Sequence, residues 1–222
     1  MLENIKSIIF DFDGTIHETT KIYTPALTCG IKLLKEEGYI ADLEVNDVYA
    51  GKFLGYSAKD AWKIIAPEAP KDIVERAMKI VGSKMDENME KGKGELYPKA
   101  REVLKTLNDR GYDLYLLSNA RVRYLELACK IYGIKNYFKK IIAAESYNFI
   151  PKDLILKDII DNMEKEIIVV GDRFHDIDAA RTNNLKSIFA SYGYGKVEEG
   201  KKATYNIFNT VSYTHLTLPT TP

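Results

Sequence analysis

Ile8-Ile9-Phe10-Asp11-Phe12-Asp13-Gly14-Thr15 is the stretch on which the reading of this chain turns. Ile8, Ile9 and Phe10 make a short apolar run of strand-forming types, and that run delivers two carboxylates, one residue apart, onto a glycine turn. Side chains alternate along a strand, so Asp11 and Asp13 share a side as the strand ends. Two like charges that close repel, and a divalent cation is the natural remedy. Asp11 reads as a nucleophile toward phosphorus, held rigidly for in-line attack. Asp13 is placed to give a proton to a leaving alcohol and later to take one from water. Gly14 permits a tight backbone approach, and Thr15 braces the turn.

Outward from this stretch, short apolar runs recur at residues 6–10, 113–118, 140–143, 167–171 and 186–190. Helical spacing separates the later ones: Ala100, Val103, Leu104 and Leu107 form one stripe over 98–110, residues 121–132 end at Gly133, and 153–163 repeat the period. Strands alternating with helices predict an α/β fold, a parallel sheet with helices on both faces and function gathered at the carboxyl ends of the strands. Residues 16–94 break the rhythm. They offer helical stretches at 24–37, 57–65 and 71–90 but no strand, and so read as an inserted helical domain bordered by Lys91-Gly92-Lys93-Gly94. The segment after Ala203 is expected to continue into a terminal helix.

The chain has 222 residues, 45% of them hydrophobic, enough for one large core and a smaller attached domain. Lys and Arg total 32, as do Asp and Glu, so no global field draws in nucleic acid or an anionic membrane. Cys29 and Cys129 lack metal-type spacing and read as reduced, buried thiols. No apolar run reaches membrane-span length and the start lacks a signal-peptide pattern, so the expected location is cytoplasmic, as a monomer or weak homodimer. Residues 211–220 read as a translated sequencing adapter, so the genuine chain is expected to end near Asn209 or Thr210, and His215 carries no functional argument.

Three further segments, each after a predicted strand, complete the chemistry. In Leu116-Leu117-Ser118-Asn119, a hydroxyl and backbone amides can bind phosphate oxygens, although Asn119 equally suits a helix cap. Lys152 can neutralise charge on a transferring group and on Asp11. In Val169-Val170-Gly171-Asp172-Arg173-Phe174-His175-Asp176, two carboxylates follow a buried strand and offer oxygen ligands to a hard cation, for which magnesium fits best.

In order along the chain, Asp11-Phe12-Asp13-Gly14-Thr15, Ser118, Lys152, and Gly171-Asp172 with Asp176 resemble the four signatures of the haloacid dehalogenase (HAD) superfamily. The resemblance implies a Rossmann-like core over residues 1–15 and 95–210, a helical cap over 16–94 and a non-native tail over 211–222. It makes Asp11 the nucleophile, Asp13 the general acid and base, and Ser118, Asn119 and Lys152 the phosphate binders. Asp11, Asp172 and the Asp13 backbone carbonyl would hold Mg2+, with Asp176 supporting the ion or Lys152. The family often places proline after the motif-three lysine, whereas Pro151 precedes Lys152 here. Lys157, a turn into the next helix, is the alternative.

Asp13 points away from dehalogenases and toward phosphatase or phosphomutase chemistry. Positions that hold histidine and arginine in beta-phosphoglucomutase-like relatives appear here as Tyr23 and Ala58, and His17 reads as a solvated loop residue. The sequence therefore resembles the phosphoglycolate phosphatase and beta-phosphoglucomutase-like branch. It is expected to be a magnesium-dependent phosphatase of small phosphorylated metabolites acting through an aspartyl phosphate. A sugar phosphomutase and a noncatalytic phosphate-binding protein are the alternatives. Tyr49, Lys52, Phe53, Tyr56, Lys59 and Trp62 are candidate specificity contacts, or else packing for the helical domain.

Overall fold

The computed structural model describes residues 5–164 and 166–212, so most of the suspected adapter tail, 213–222, lies outside the described residues. In chain order the elements are β1 (Ser7–Phe10), α1 (Thr20–Glu36), α2 (Asp47–Gly51), α3 (Ala58–Ile65), α4 (Lys71–Glu90), α5 (Ala100–Asp109) and β2 (Asp113–Ser118). They continue as α6 (Val122–Ile131), β3 (Phe138–Ala143), α7 (Lys152–Ile160), β4 (Ile167–Gly171), α8 (Phe174–Thr182), β5 (Lys186–Ala190) and β6 (Tyr205–Ile207). They fall into two compact units. One contains β1 and the described residues from Leu96 onward; the other is Thr19–Glu95, with α1 to α4.

The first unit is an α/β structure whose sheet runs β3-β2-β1-β4-β5-β6, every pair parallel. Every residue of β1 and β4 is buried, which is why their sequences are near-continuous apolar runs rather than alternations. On one face Ile9, Leu117, Ile142 and Val169 pack with Ile155, Leu156 and Ile159 of α7 and Ala179 and Ala180 of α8. From β1 the chain builds outward to β3, then returns to the other side of β1 as β4. The point where the order reverses therefore lies between β1 and β4, where open parallel sheets leave a crevice at their carboxyl ends.

In the second unit, Gly30 of α1 meets α3 and α4 closely. A Cβ there would lie 2.7 Å from a Val81 methyl and 3.0 Å from the Trp62 ring. Asn46 and Ser57 cap α2 and α3, accepting from the Tyr49 and Asp60 amides. Phe53 and Trp62 are buried, so these two candidate specificity residues pack the unit, while Lys52 and Lys59 are exposed.

Several boundaries differ from expectation. Helix α1 opens at Thr20 rather than residue 24: Pro25, which signals a first helical turn, lies inside the helix, and buried Ile22 and Tyr23 carry the apolar stripe one turn further back. Helix α5 opens at Ala100 because Lys99 is left-handed, at φ 61°. The segment after Ala203 forms β6, which pairs Tyr205, Asn206 and Ile207 with β5, instead of the expected terminal helix. Three residues with one buried side chain carry no periodicity, so the open edge of β5 decides their conformation. Cys29 is half-buried rather than buried; Cys129 is buried, and both are free.

Candidate active site

β1 ends at Phe10, and the Asp11 amide still donates to the Val170 carbonyl of β4 at 2.8 Å. Asp11 is therefore fixed by the sheet itself. Beyond it the backbone folds back sharply: the Ile16 and His17 amides both donate to the Phe12 carbonyl at 2.9 Å, and the Gly14 amide donates to the His17 carbonyl at 2.9 Å. Gly14 sits at φ +91°, and a Cβ on it would lie 2.2 Å from Asp172 Oδ2. Only glycine lets this turn approach the next carboxylate.

Asp172 follows β4, with its side chain enclosed by glycines. A Cβ on Gly193 would lie 2.3 Å from Asp172 Cβ, and one on Gly195 1.9 Å from the Asp172 carbonyl oxygen. The Tyr194 amide donates to Asp172 Oδ2 at 2.6 Å. Asp176 occupies the first turn of α8, where its Oδ2 accepts from the Arg173 amide at 3.2 Å and so caps the helix. Its Oδ1 accepts from Lys152 Nζ at 2.5 Å, and the same ammonium donates to Asp11 Oδ1 at 2.7 Å. One buried lysine thus ties the end of β1 to the start of α8. Pro151 precedes α7, so Lys152 enters the site as the first residue of that helix, whereas Lys157, a turn later, is exposed.

Asp11, Asp172 and Asp176 are all buried and can each present an oxygen with all three atoms within 4.8 Å of one another. Burial drives the Asp11 carboxyl up to about 7 against the pull of Lys152, and Asp176 and Asp13 add to the rise. Asp172 is raised well above the carboxylate range by burial and by the neighbouring Asp11 and Asp176. Burial opposes the charge on Lys152, yet Asp11 and Asp176 outweigh it and hold the ammonium above its ordinary range. Asp172 Oδ1 is buried without a hydrogen-bond partner among the described residues. Three clustered carboxylates, two of them on one lysine, with an unmatched oxygen on the third, fit a hard divalent cation and no soft one.

Asp13 stands apart from that cluster. Its Oδ2 lies 3.5 Å from Ser118 Oγ, at the end of β2, and its Oδ1 accepts from Tyr124 Oη of α6 at 2.7 Å. The structure brings Asp11, Lys152, Asp172 and Asp176 into one cluster, while Asp13, near enough to raise the Asp11 carboxyl, contacts Ser118 and Tyr124. Asn119 follows Ser118 and is half-buried. The sequence misplaced His17 and passed over Tyr124. His17 is fully buried, stacked on Phe12 at 5.0 Å, and is not a solvated loop residue, because the turn from Phe12 folds it inward. Tyr124 is 3% exposed and looks, in sequence, like any aromatic on a helix stripe. Tyr194 and its flanking glycines were missed too; the run Tyr192-Gly193-Tyr194-Gly195, directly after β5, was the available signal.

The phosphoglycolate phosphatase of Vibrio vulnificus (strain YJ016) is 26% identical over 204 residues, covering 88% of each chain. That of Psychrobacter arcticus is 24% identical over 193 residues, covering 84% of each. A crystal structure described as a predicted phosphatase from Clostridium acetobutylicum superposes with a TM-score of 0.82 at 21% identity, covering 96% of this chain and 97% of that one, and shows the shared fold. No helix among the described residues is long and apolar enough to cross a membrane. The family model for haloacid dehalogenase-like hydrolases matches residues 8–190, from the strand that carries Asp11 to the end of β5, and the chain belongs to that family.

Proposed function

We propose that this hydrolase is a phosphatase of small phosphate monoesters, with Asp11 taking the phosphoryl group. The observation that carries the reading is the buried set Asp11, Lys152, Asp172 and Asp176, held at the carboxyl ends of β1 and β4. Asp11 and Asp172, with the Asp13 backbone carbonyl and with Asp176 beside them, would hold Mg2+. When bound, that ion would neutralise the phosphate oxygens and the carboxylates around it.

This chain's own residues then divide the work. Asp11 attacks phosphorus, forming the Asp11 O–P bond as the bond to the leaving oxygen breaks. Asp13 gives that oxygen its proton, then takes one from the water that attacks the phosphorylated Asp11, and inorganic phosphate leaves. Lys152 keeps Asp11 oriented and offsets charge on the phosphoryl group; Ser118 and Asn119 bind its oxygens. The same reading treats residues 16–94 as an inserted helical cap domain and has the enzyme act in the cytoplasm as a monomer or weak homodimer. Phosphoglycolate, named in the relatives, is the first substrate to try.

The test is phosphate release from a panel of phosphorylated metabolites, phosphoglycolate included, with magnesium and with a chelator. Release is expected only with the metal, and Asp11→Asn should lower it by about 10³-fold or more. An Asp11→Asn protein that releases as much phosphate as the unaltered one overturns the nucleophile assignment.

A further inference from the structure

Behind Asp13 lies a chain of polar groups, buried at His17 and Tyr124 and half-buried at Tyr132, that the reaction as written does not use. Tyr124 Oη is 2.7 Å from Asp13 Oδ1 and 3.2 Å from His17 Nδ1. His17 Nε2 is 2.9 Å from Tyr132 Oη, and His17 Nδ1 is 3.6 Å from Asp13 Oδ1. Tyr124 and Tyr132 belong to the same stretch of chain: one sits in the first turn of α6, the other caps its end. His17 is held between them by the turn that starts at Phe12, whose ring it faces nearly parallel, at 8°.

With a neutral imidazole, one hydrogen-bond pattern satisfies these contacts. The Tyr124 hydroxyl has a single proton, and the shorter contact assigns it to Asp13 Oδ1, which as an ionised carboxylate oxygen can only accept. The Tyr124 oxygen must then accept from His17, which places the imidazole proton on Nδ1. Nε2 is left as an acceptor for the Tyr132 hydroxyl at 2.9 Å. When Asp13 carries a proton, Oδ1 remains the strong acceptor that Tyr124 uses when that proton sits on Oδ2, the oxygen on the Ser118 side.

We infer that Tyr124, set by His17, is a positioning residue that reserves Asp13 Oδ2 for proton transfer. The inference rests on the phosphatase reading above and adds residues to it. Asp13 recovers from water the proton it gave to the leaving oxygen, so the cycle balances without a net proton passing through His17. The network therefore orients the carboxyl and does not conduct.

Leaving-group dependence separates orientation from general structure. An alkyl alcohol leaves poorly without a proton, whereas p-nitrophenolate leaves nearly unaided. Tyr124→Phe keeps the ring and removes the donor. It should lower kcat/KM for an alkyl phosphate about 10-fold while changing kcat/KM for p-nitrophenyl phosphate less than about 2-fold. His17→Phe should shift the same ratio in the same direction, and should add nothing to it in a Tyr124→Phe background, because His17 acts through that hydroxyl. Equal losses on both substrates, or no change on either, overturn the inference while leaving the phosphatase reading intact. An unaltered enzyme that hydrolyses neither substrate takes down both. Tyr124→Phe decides the matter alone should His17→Phe fail to fold, with thermal melting reporting which variants are native.

Discussion

The two units differ in where they keep charge: both carry exposed ion pairs, and the sheet unit adds a buried set. In the helical unit the ion pairs lie at the surface: Lys35 with Asp42, Lys63 with Asp60, and Arg76 with Glu37, whose side chains are 56% and 36% exposed. Water and salt screen such pairs, and they cost little to lose. In the sheet unit Lys152 donates to both Asp11 and Asp176, with all three side chains no more than 7% exposed. Nothing about folding demands that arrangement, since well-packed apolar residues of similar size serve stability as well or better. Buried like charges with one counter-ion are what a protein retains where it has chemistry to do.

Removing one cation from each unit tests this contrast most severely. Lys152→Met leaves buried carboxylates without their counter-charge and should cost about 3–5 kcal/mol in the metal-free protein by denaturant unfolding. Arg76→Ala should leave the unfolding midpoint unchanged within error. Equal effects would erase the distinction between the units.

The second test uses pH. The Asp11 carboxyl is raised to about 7 in the fold from 3.8, so below about pH 4 both states hold its proton and the folded state gains from keeping it. That gain is lost as pH rises through about 7, where Asp11 ionises among its neighbours. A cation needs Asp11 ionised, so magnesium should raise the melting temperature by several degrees more at about pH 8 than at about pH 6. A shift independent of pH would show that the ion binds elsewhere.

The smallest effect sets one thiol from each unit side by side. Burial pushes the Cys129 thiol up to about 12, so it stays protonated and unreactive in the native state. Cys29, half-buried in α1, should be the only one alkylated by iodoacetamide before unfolding, as peptide mass mapping would show. Native labelling of Cys129 would mean that the sheet unit opens locally.

Much of this was legible without coordinates, for reasons that differ by residue. β1 and β4 announce themselves because a strand buried on both faces must be apolar throughout, and Asp11 and Asp172 stand out because charge follows directly on such runs. Asp176 was named from its place after the same strand, but α8 itself gave no such signal, and only the capping bond from the Arg173 amide shows the helix that Asp176 begins. Lys152 was the first choice and Lys157 the alternative, and the start of α7 buries the one and exposes the other. Tyr124 carries no local mark at all, since its partner Asp13 lies 111 residues away in the chain.

By itself the sequence determined the alternation of strands and helices, and it named the carboxylates and the lysine, because periodicity and the placement of charge after apolar runs are local properties of a chain. The tertiary structure alone decided which of those groups meet, that His17 lies inside, and that a tyrosine from α6 holds Asp13. Those outcomes depend on sheet order and on a turn folding back upon itself, and contacts between distant residues are set by packing rather than by any neighbour in the sequence.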